Sequence, residues 1–88
     1  MKSAFTNSFL RDVRKLPDDE IREQVRGVIL AVEASSDLRD VANVKKLSGR
    51  GSSFRIRVGN YRIGMTVEGG TAIFVRVLPR RDIYRFFP

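Results

Sequence analysis

The stretch Phe54-Arg55-Ile56-Arg57-Val58-Gly59-Asn60-Tyr61-Arg62-Ile63-Gly64-Met65-Thr66-Val67-Glu68 decides the fold. Its period is two. Phe54, Ile56 and Val58 alternate with Arg55 and Arg57, and Tyr61, Ile63, Met65 and Val67 alternate with Arg62, Gly64, Thr66 and Glu68. Successive side chains of a strand point to opposite faces, so each run is a strand with one apolar and one polar side. Gly59-Asn60 between them is a hairpin turn signal. Pairing across that turn brings Arg62 beside Arg55 and Arg57.

Toward the C-terminus, Gly69-Gly70 marks a second turn. Residues 71–78 are apolar on both faces except for Arg76, the pattern of a central strand. If Val75 and Val77 turn to the apolar side of the sheet, Arg76 joins the arginine surface. The tail reads Pro79-Arg80-Arg81-Asp82-Ile83-Tyr84-Arg85-Phe86-Phe87-Pro88. Toward the N-terminus, Gly49-Arg50-Gly51-Ser52-Ser53 is a flexible loop. Residues 44–47 suit a short strand or extended segment, and residues 34–43 form a polar connection.

Further upstream the period becomes helical. Thr6, Asn7 and Ser8 offer N-caps before Phe9, Val13 and Leu16. Pro17 ends that short helix and opens the next. Asp18, Asp19 and Glu20 then fill a first turn, where the helix dipole favours negative charge. Ile21, Val25, Val28, Ile29 and Val32 make one apolar face. Residues 1–5 have the length of a short edge strand. The expected architecture is α+β: one domain over residues 1–88, with an N-terminal helical hairpin packed on one face of an antiparallel sheet of three to four strands. The helices bury the Phe54 and Tyr61 rows, which leaves Arg55, Arg57 and Arg62 on the uncovered face.

The 88 residues carry a net charge of +7 with a sequence pI near 10.8, and the charge is unevenly placed. Residues 1–43 hold seven basic and eight acidic side chains. Residues 44–88 hold ten basic ones, eight of them Arg, against Glu68 and Asp82 alone. Arginine forks match phosphate oxygens bidentately, so this half points to a polyanion such as RNA. The chain has no cysteine and no histidine, which excludes disulfides, thiolate or imidazole metal sites and Ser-His or Cys-His catalysis. Glu68 and Asp82 are isolated and the carboxylates at 18–20 serve a helix start, so no metal site is expected. Gly49-x-Gly51 is too short for a phosphate-binding loop. No apolar run nears the length of a membrane span, and no secretory leader is visible at Met1–Phe5, so a cytoplasmic location is expected.

Like charges side by side on a sheet repel. One reading of Arg55, Arg57 and Arg62 is a cradle in which several guanidiniums stabilise the extra charge of a pentavalent phosphorus transition state. The other is three solvated arginines on an open sheet face. Tyr84 has the hydroxyl and ring to stack on a base, orient a 2′-hydroxyl or relay a proton, or simply to dock the tail. Phe86 and Phe87 pack or bind a partner.

Several segments together resemble the RelE/ParE superfamily of toxins from type II toxin–antitoxin modules. They are Phe5-Thr6-Asn7-Ser8-Phe9, Asn43-Val44-Lys45-Lys46-Leu47-Ser48-Gly49, the block 54–63, Phe74-Val75-Arg76-Val77-Leu78 and Arg80-Arg81-Asp82-Ile83-Tyr84-Arg85. The most specific are the block 54–63 and the tail. The RelE branch comprises ribonucleases that cut messenger RNA, typically in the ribosomal A site. They work without a metal, by attack of the ribose 2′-hydroxyl on the adjacent phosphate. The resemblance implies catalytic roles for Arg55, Arg57, Arg62, Arg80 or Arg81, and Tyr84. The other basic residues of the C-terminal half, Lys45, Lys46, Arg50, Arg76 and Arg85, are expected RNA contacts, and no cofactor is expected. The resemblance also implies a cognate antitoxin whose acidic, amphipathic segment folds as it binds. The chain departs from the family where relatives often carry lysine at one of the Arg55/Arg57 positions and histidine at the position of Pro79. Arginine, with a pKa above about 12, is a far poorer base. Two alternatives are a ParE-type toxin that poisons DNA gyrase by protein contact and a non-catalytic RNA-binding module.

Overall fold

The computed structural model describes residues 1–47 and 52–88. In chain order the elements are β1 (Lys2–Phe5), α1 (Asn7–Arg14), α2 (Asp19–Ala34), a 3₁₀ turn (Leu38–Asp40), β2 (Val44–Lys46), β3 (Ser53–Val58), β4 (Tyr61–Glu68), β5 (Thr71–Pro79) and α3 (Ile83–Phe86). The strands form one sheet in the order β1-β5-β4-β3-β2. Part of the expected loop at Gly49–Ser53, including Arg50, lies outside the described residues.

The hairpins form where the sequence places them. β3 pairs antiparallel with β4 across Gly59-Asn60, and β4 with β5 across Gly69-Gly70. Gly69 and Gly70 have φ of 54° and 80°, a left-handed pair that side chains with a Cβ disfavour. The expectation of three to four antiparallel strands needs correction: the sheet has five strands and is mixed. β1 pairs parallel with β5, Lys2 opposite Thr71 through Phe5 opposite Phe74. β5 is therefore interior, as its two-sided apolar pattern requires.

The helices also differ in arrangement from a simple N-terminal hairpin. They follow β1, and each packs mainly on the sheet: α1 on β5, α2 across β1 and β3. The Thr6 side chain accepts a hydrogen bond from Phe9 N to cap α1, and Asp18 does the same for Ile21 N at the start of α2. Pro17 falls between the two helices. Phe9, Leu16, Ile21, Val25 and Val32 pack on Ile56, Val58, Ile63, Met65, Ala72, Phe74 and Val77 in one continuous core. Phe9 and Phe74 are 1% and 0% exposed with rings 5.6 Å apart; burial of such a side chain contributes about 2–3 kcal/mol.

A bulge in β5 fixes which residues reach the core. Met65 pairs with Phe74 but Gly64 pairs with Arg76, so Val75 is the extra residue. Phe74 and Val77 thereby face the helices together, and Arg76 falls on the opposite face. The sequence expectation that Arg76 joins the arginine surface holds, but through the bulge rather than through strict alternation with Val75 facing inward. β1 ends at Phe5, and α1 takes over its place along the edge of β5. Thr6 N and Oγ1 donate to Phe74 O and Val75 O, and Val77 N donates to Asp12 Oδ2 at 3.1 Å.

Candidate functional site

The strand registers lay the basic residues out in two transverse rows on the face away from the helices. Lys45, Arg55, Gly64 and Arg76 make one row; Arg57, Arg62 and Leu78 make the next. Arg57 is exposed, Arg55 half-buried and Arg62 only 7% exposed. The Arg62 Nη1 donates to Gly59 O at 2.9 Å and Tyr61 O at 2.8 Å, which ties it to the hairpin turn. The Arg57 Nη2 donates to Asn43 Oδ1 at 3.1 Å. Asn43 sits at φ 67°, a conformation asparagine tolerates, and its carbonyl also accepts from Arg57 N.

The charge of this cluster is unneutralised. Burial lowers the Arg62 pKa from its ordinary value, and the positive charges of Arg55, Arg80 and Arg57 lower it further, while Tyr84 acts in the opposite sense. Arg55, Arg57, Arg80 and Tyr84 thus all lie within electrostatic reach of one buried guanidinium. Among the described residues, none of these four arginines forms a salt bridge. The Arg55 Nε is buried without an acceptor, at a cost of about 1–3 kcal/mol for such a donor. Asn43, Val44, Lys45, Arg55 and Arg57 line a hollow of about 220 Å³. Asn60, Tyr61, Pro79, Arg80 and Arg81 line a second of about 440 Å³ at the end of the sheet. Chemically, the arrangement offers several donors on one face to an anion and, among the described residues, no carboxylate paired with them.

The other sequence candidates are placed differently. Arg80, whose N donates to Asn60 O at 2.8 Å, and Arg81 are both exposed and line the same hollow; of the two, Arg80 is the one whose charge bears on Arg62. Lys46 pairs with Phe54 and so lies on the other face from Lys45 and Arg55. Arg85 is exposed on α3. Arg76 shares the arginine face, but its guanidinium is committed: Nε and Nη2 donate to the two oxygens of Asp12 at 2.7 and 3.1 Å. That pairing raises its pKa. Arg76 also lies 5.2 Å from the centre of the Phe86 ring.

The face is also less bare than the sequence implies. The C-terminal segment lies on it, with Ile83 0% and Phe87 3% exposed, while Tyr84 on the same turn is 59% exposed. Phe87 packs over Gly64 so closely that a Cβ there would come within 2.5 Å of the ring. Sequence reasoning gave no role to Asp12, Asn43, Gly64 and Ile83, and left Phe87 open between packing and binding a partner. Two signals were available. An isolated glycine inside a strand marks a close approach. A carboxylate at Asp12, among Phe9, Val13 and Leu16, marks a buried pairing.

The family model described as the ParE toxin of type II toxin–antitoxin system, parDE, matches residues 4–84. Over 89 aligned residues the chain is 43% identical to Toxin RelE3 of Methanocaldococcus jannaschii, covering all of both chains. It is similar to the RelB-RelE antitoxin-toxin complex from Methanococcus jannaschii: TM-score 0.81, 40% identity, covering 97% of this chain and 99% of that one. The intact E. coli RelBE toxin-antitoxin complex gives a TM-score of 0.69 at 26% identity, covering 86% of this chain and 92% of that one.

Proposed function

The chain belongs to the ParE toxin family of type II toxin–antitoxin systems, and from that premise we propose that it is an endoribonuclease that cuts messenger RNA, engaged in the ribosomal A site. The observation that carries the reading is the placement of Arg55, Arg57 and Arg62 on one face of the hairpin, with Arg80 at its end beside Asn60 and, among the described residues, no carboxylate paired with any of them. Such a cluster is electrostatically unsatisfied until an anion arrives, and a phosphodiester is an anion whose charge grows in the transition state.

In this reading the ribose 2′-oxygen attacks the adjacent phosphorus and loses its proton. The bond to the 5′-oxygen breaks and that oxygen takes up a proton, leaving a 2′,3′-cyclic phosphate and a 5′-hydroxyl. Arg55, Arg57 and Arg62 bind the phosphoryl oxygens, with Arg80 assisting from the end of β5. Tyr84, the exposed aromatic beside them, orients the nucleotide. None of the arginines is a competent base at neutral pH, so positioning and charge stabilisation supply most of the acceleration. An antitoxin partner is part of the proposal: solved relatives are RelB-RelE complexes, and an acidic segment would complement the arginine face. In a translating extract, the chain should cut mRNA and Arg62→Ala should not. Undiminished cutting by that variant would remove the assignment.

A second reading has a specific observation behind it. The tail covers part of the arginine face at Gly64, and Arg62 is only 7% exposed. A ParE-type toxin that inhibits DNA gyrase by protein contact needs no open phosphate cradle. Loss of gyrase supercoiling with mRNA left intact would select it.

A further inference from the structure

We infer that Phe87 is a positioning residue whose seat on Gly64 holds Tyr84 and the short helix α3 against the arginine cluster. The inference rests on the ribonuclease reading for its functional half, and on geometry alone for the latch itself.

Gly64 stands in the centre of the sheet, on β4, between Arg55 of β3 and Arg76 of β5. A glycine in the middle of a strand sacrifices side-chain packing and backbone stability unless something takes the space of the missing Cβ. Here the Phe87 ring takes it. A Cβ built at position 64 would meet three ring carbons of Phe87 at 2.5–2.8 Å, too close for any real contact.

The rest of the tail is built around that seat. Ile83, one helical turn earlier, is fully buried on the same side, and Phe87 N donates to Ile83 O at 2.8 Å. Ile83 and Phe87 are thus the two inward-facing residues, and Tyr84 and Arg85 are held outward, toward solvent. Arg76, pinned by Asp12, stacks on Phe86 and fixes the outer edge of the helix. With only four residues, α3 is too short to hold its shape unaided. Its position, and hence that of Tyr84, is set by these contacts. The Phe87 ring also sits over Gly64, the cross-strand partner of Arg55, in the row that holds that guanidinium.

The latch makes a signature that a merely stabilising contact does not. Phe87→Ala should free the tail. Gly64→Ala should do the same from the other side, by pushing the ring off. In the double variant the added methyl has room, so Gly64→Ala should do no further harm once Phe87 is gone. Two readouts test this. The first is trypsin cleavage after Arg85 in the folded protein: faster in either single variant, with the double no faster than Phe87→Ala. The second is RNA cleavage, where a tail displaced by about 1 Å or more should lower kcat up to about 100-fold with KM little changed, and Phe87→Leu should restore part of it. Circular dichroism confirms folding, and the Phe87→Ala arm stands if Gly64→Ala fails to fold. Additive effects on trypsin sensitivity, or a tail as protected in Phe87→Ala as in wild type, would overturn the latch. A wild-type protein that leaves RNA intact but shows the expected trypsin pattern refutes the ribonuclease reading and spares the latch. A displaced tail with kcat unchanged refutes the positioning role.

Discussion

Arg57 and Arg62 stand directly opposite each other on neighbouring strands, two positive charges in one cross-strand pair. Opposed like charges destabilise an antiparallel pair by a few tenths of a kcal/mol to about 1 kcal/mol. Arg57→Ala should therefore raise the thermal midpoint slightly at low salt. Sulfate should bind the folded cluster and so stabilise the wild type more than the variant. Thermal scans with and without sulfate measure both effects; a variant that loses stability, or gains as much from sulfate as the wild type, contradicts the anion-binding cluster.

The pKa of Arg62 fixes the sign of a second effect. Burial, and then the charges of Arg55, Arg80 and Arg57, lower it below the ordinary arginine value. A base with a lowered folded-state pKa carries its proton at the expense of folding, and that expense is constant at every pH below the lowered value. The two hydrogen bonds Arg62 gives are to carbonyls of the turn, where Gly59 is exposed and water can replace the donor. Arg62→Met should thus unfold no more easily than wild type, by the same margin at pH 5 and pH 8, while RNA cleavage is lost. Chemical denaturation at the two pH values checks it.

Asp12 carries the opposite consequence. Its carboxylate is 7% exposed and holds both Arg76 and the free edge of β5 at Val77 N. Removing one partner of a buried pair leaves the other charge unpaired. Asp12→Ala should cost about 3 kcal/mol of stability, read as a lower urea midpoint, and Arg76→Met should cost less because the Asp12 carboxylate then keeps its hydrogen bond from Val77 N. Equal losses for the two would argue that the ion pair alone, not the bond to Val77 N, governs the site.

Hairpins were legible in the sequence because alternation and turn glycines are local. Arg55, Arg57 and Arg62 share a face for the same reason: the parity of two strands joined by a two-residue turn leaves no other choice. The parallel pairing of residues 2–5 with 71–74 was not legible, since nothing local specifies a contact between chain segments so far apart. Nor was the bulge at Val75, because a run apolar on both sides looks the same with or without a slipped residue. The tail on the arginine face was hidden for a third reason. Ile83 and Phe87 have helical spacing, but a single turn is too short a pattern to distinguish from a loose end. Only the unexplained Gly64 hinted at what sits there.

Salt dependence tests how many arginines meet RNA. Single-stranded RNA releases about 0.7 counterions per phosphate contact, so four contacts from Arg55, Arg57, Arg62 and Arg80 give a log–log slope of about −3. Each substitution to alanine within this set should shallow the slope by about 0.7. Arg76→Met, whose charge is spent on Asp12, should leave it unchanged. A slope that responds to Arg76 as strongly as to Arg62 contradicts the division of roles.

The most direct measurement is the chemistry of the cut ends. mRNA incubated with translating ribosomes, the purified protein and enough chelator to remove free divalent ions beyond those the ribosome needs should yield fragments ending in a 2′,3′-cyclic phosphate, paired with 5′-hydroxyl ends. Those fragments should vanish with Arg62→Ala. Full-length mRNA with the wild-type protein, or 5′-phosphate ends on the fragments, would contradict an arginine cradle that drives attack by the 2′-oxygen.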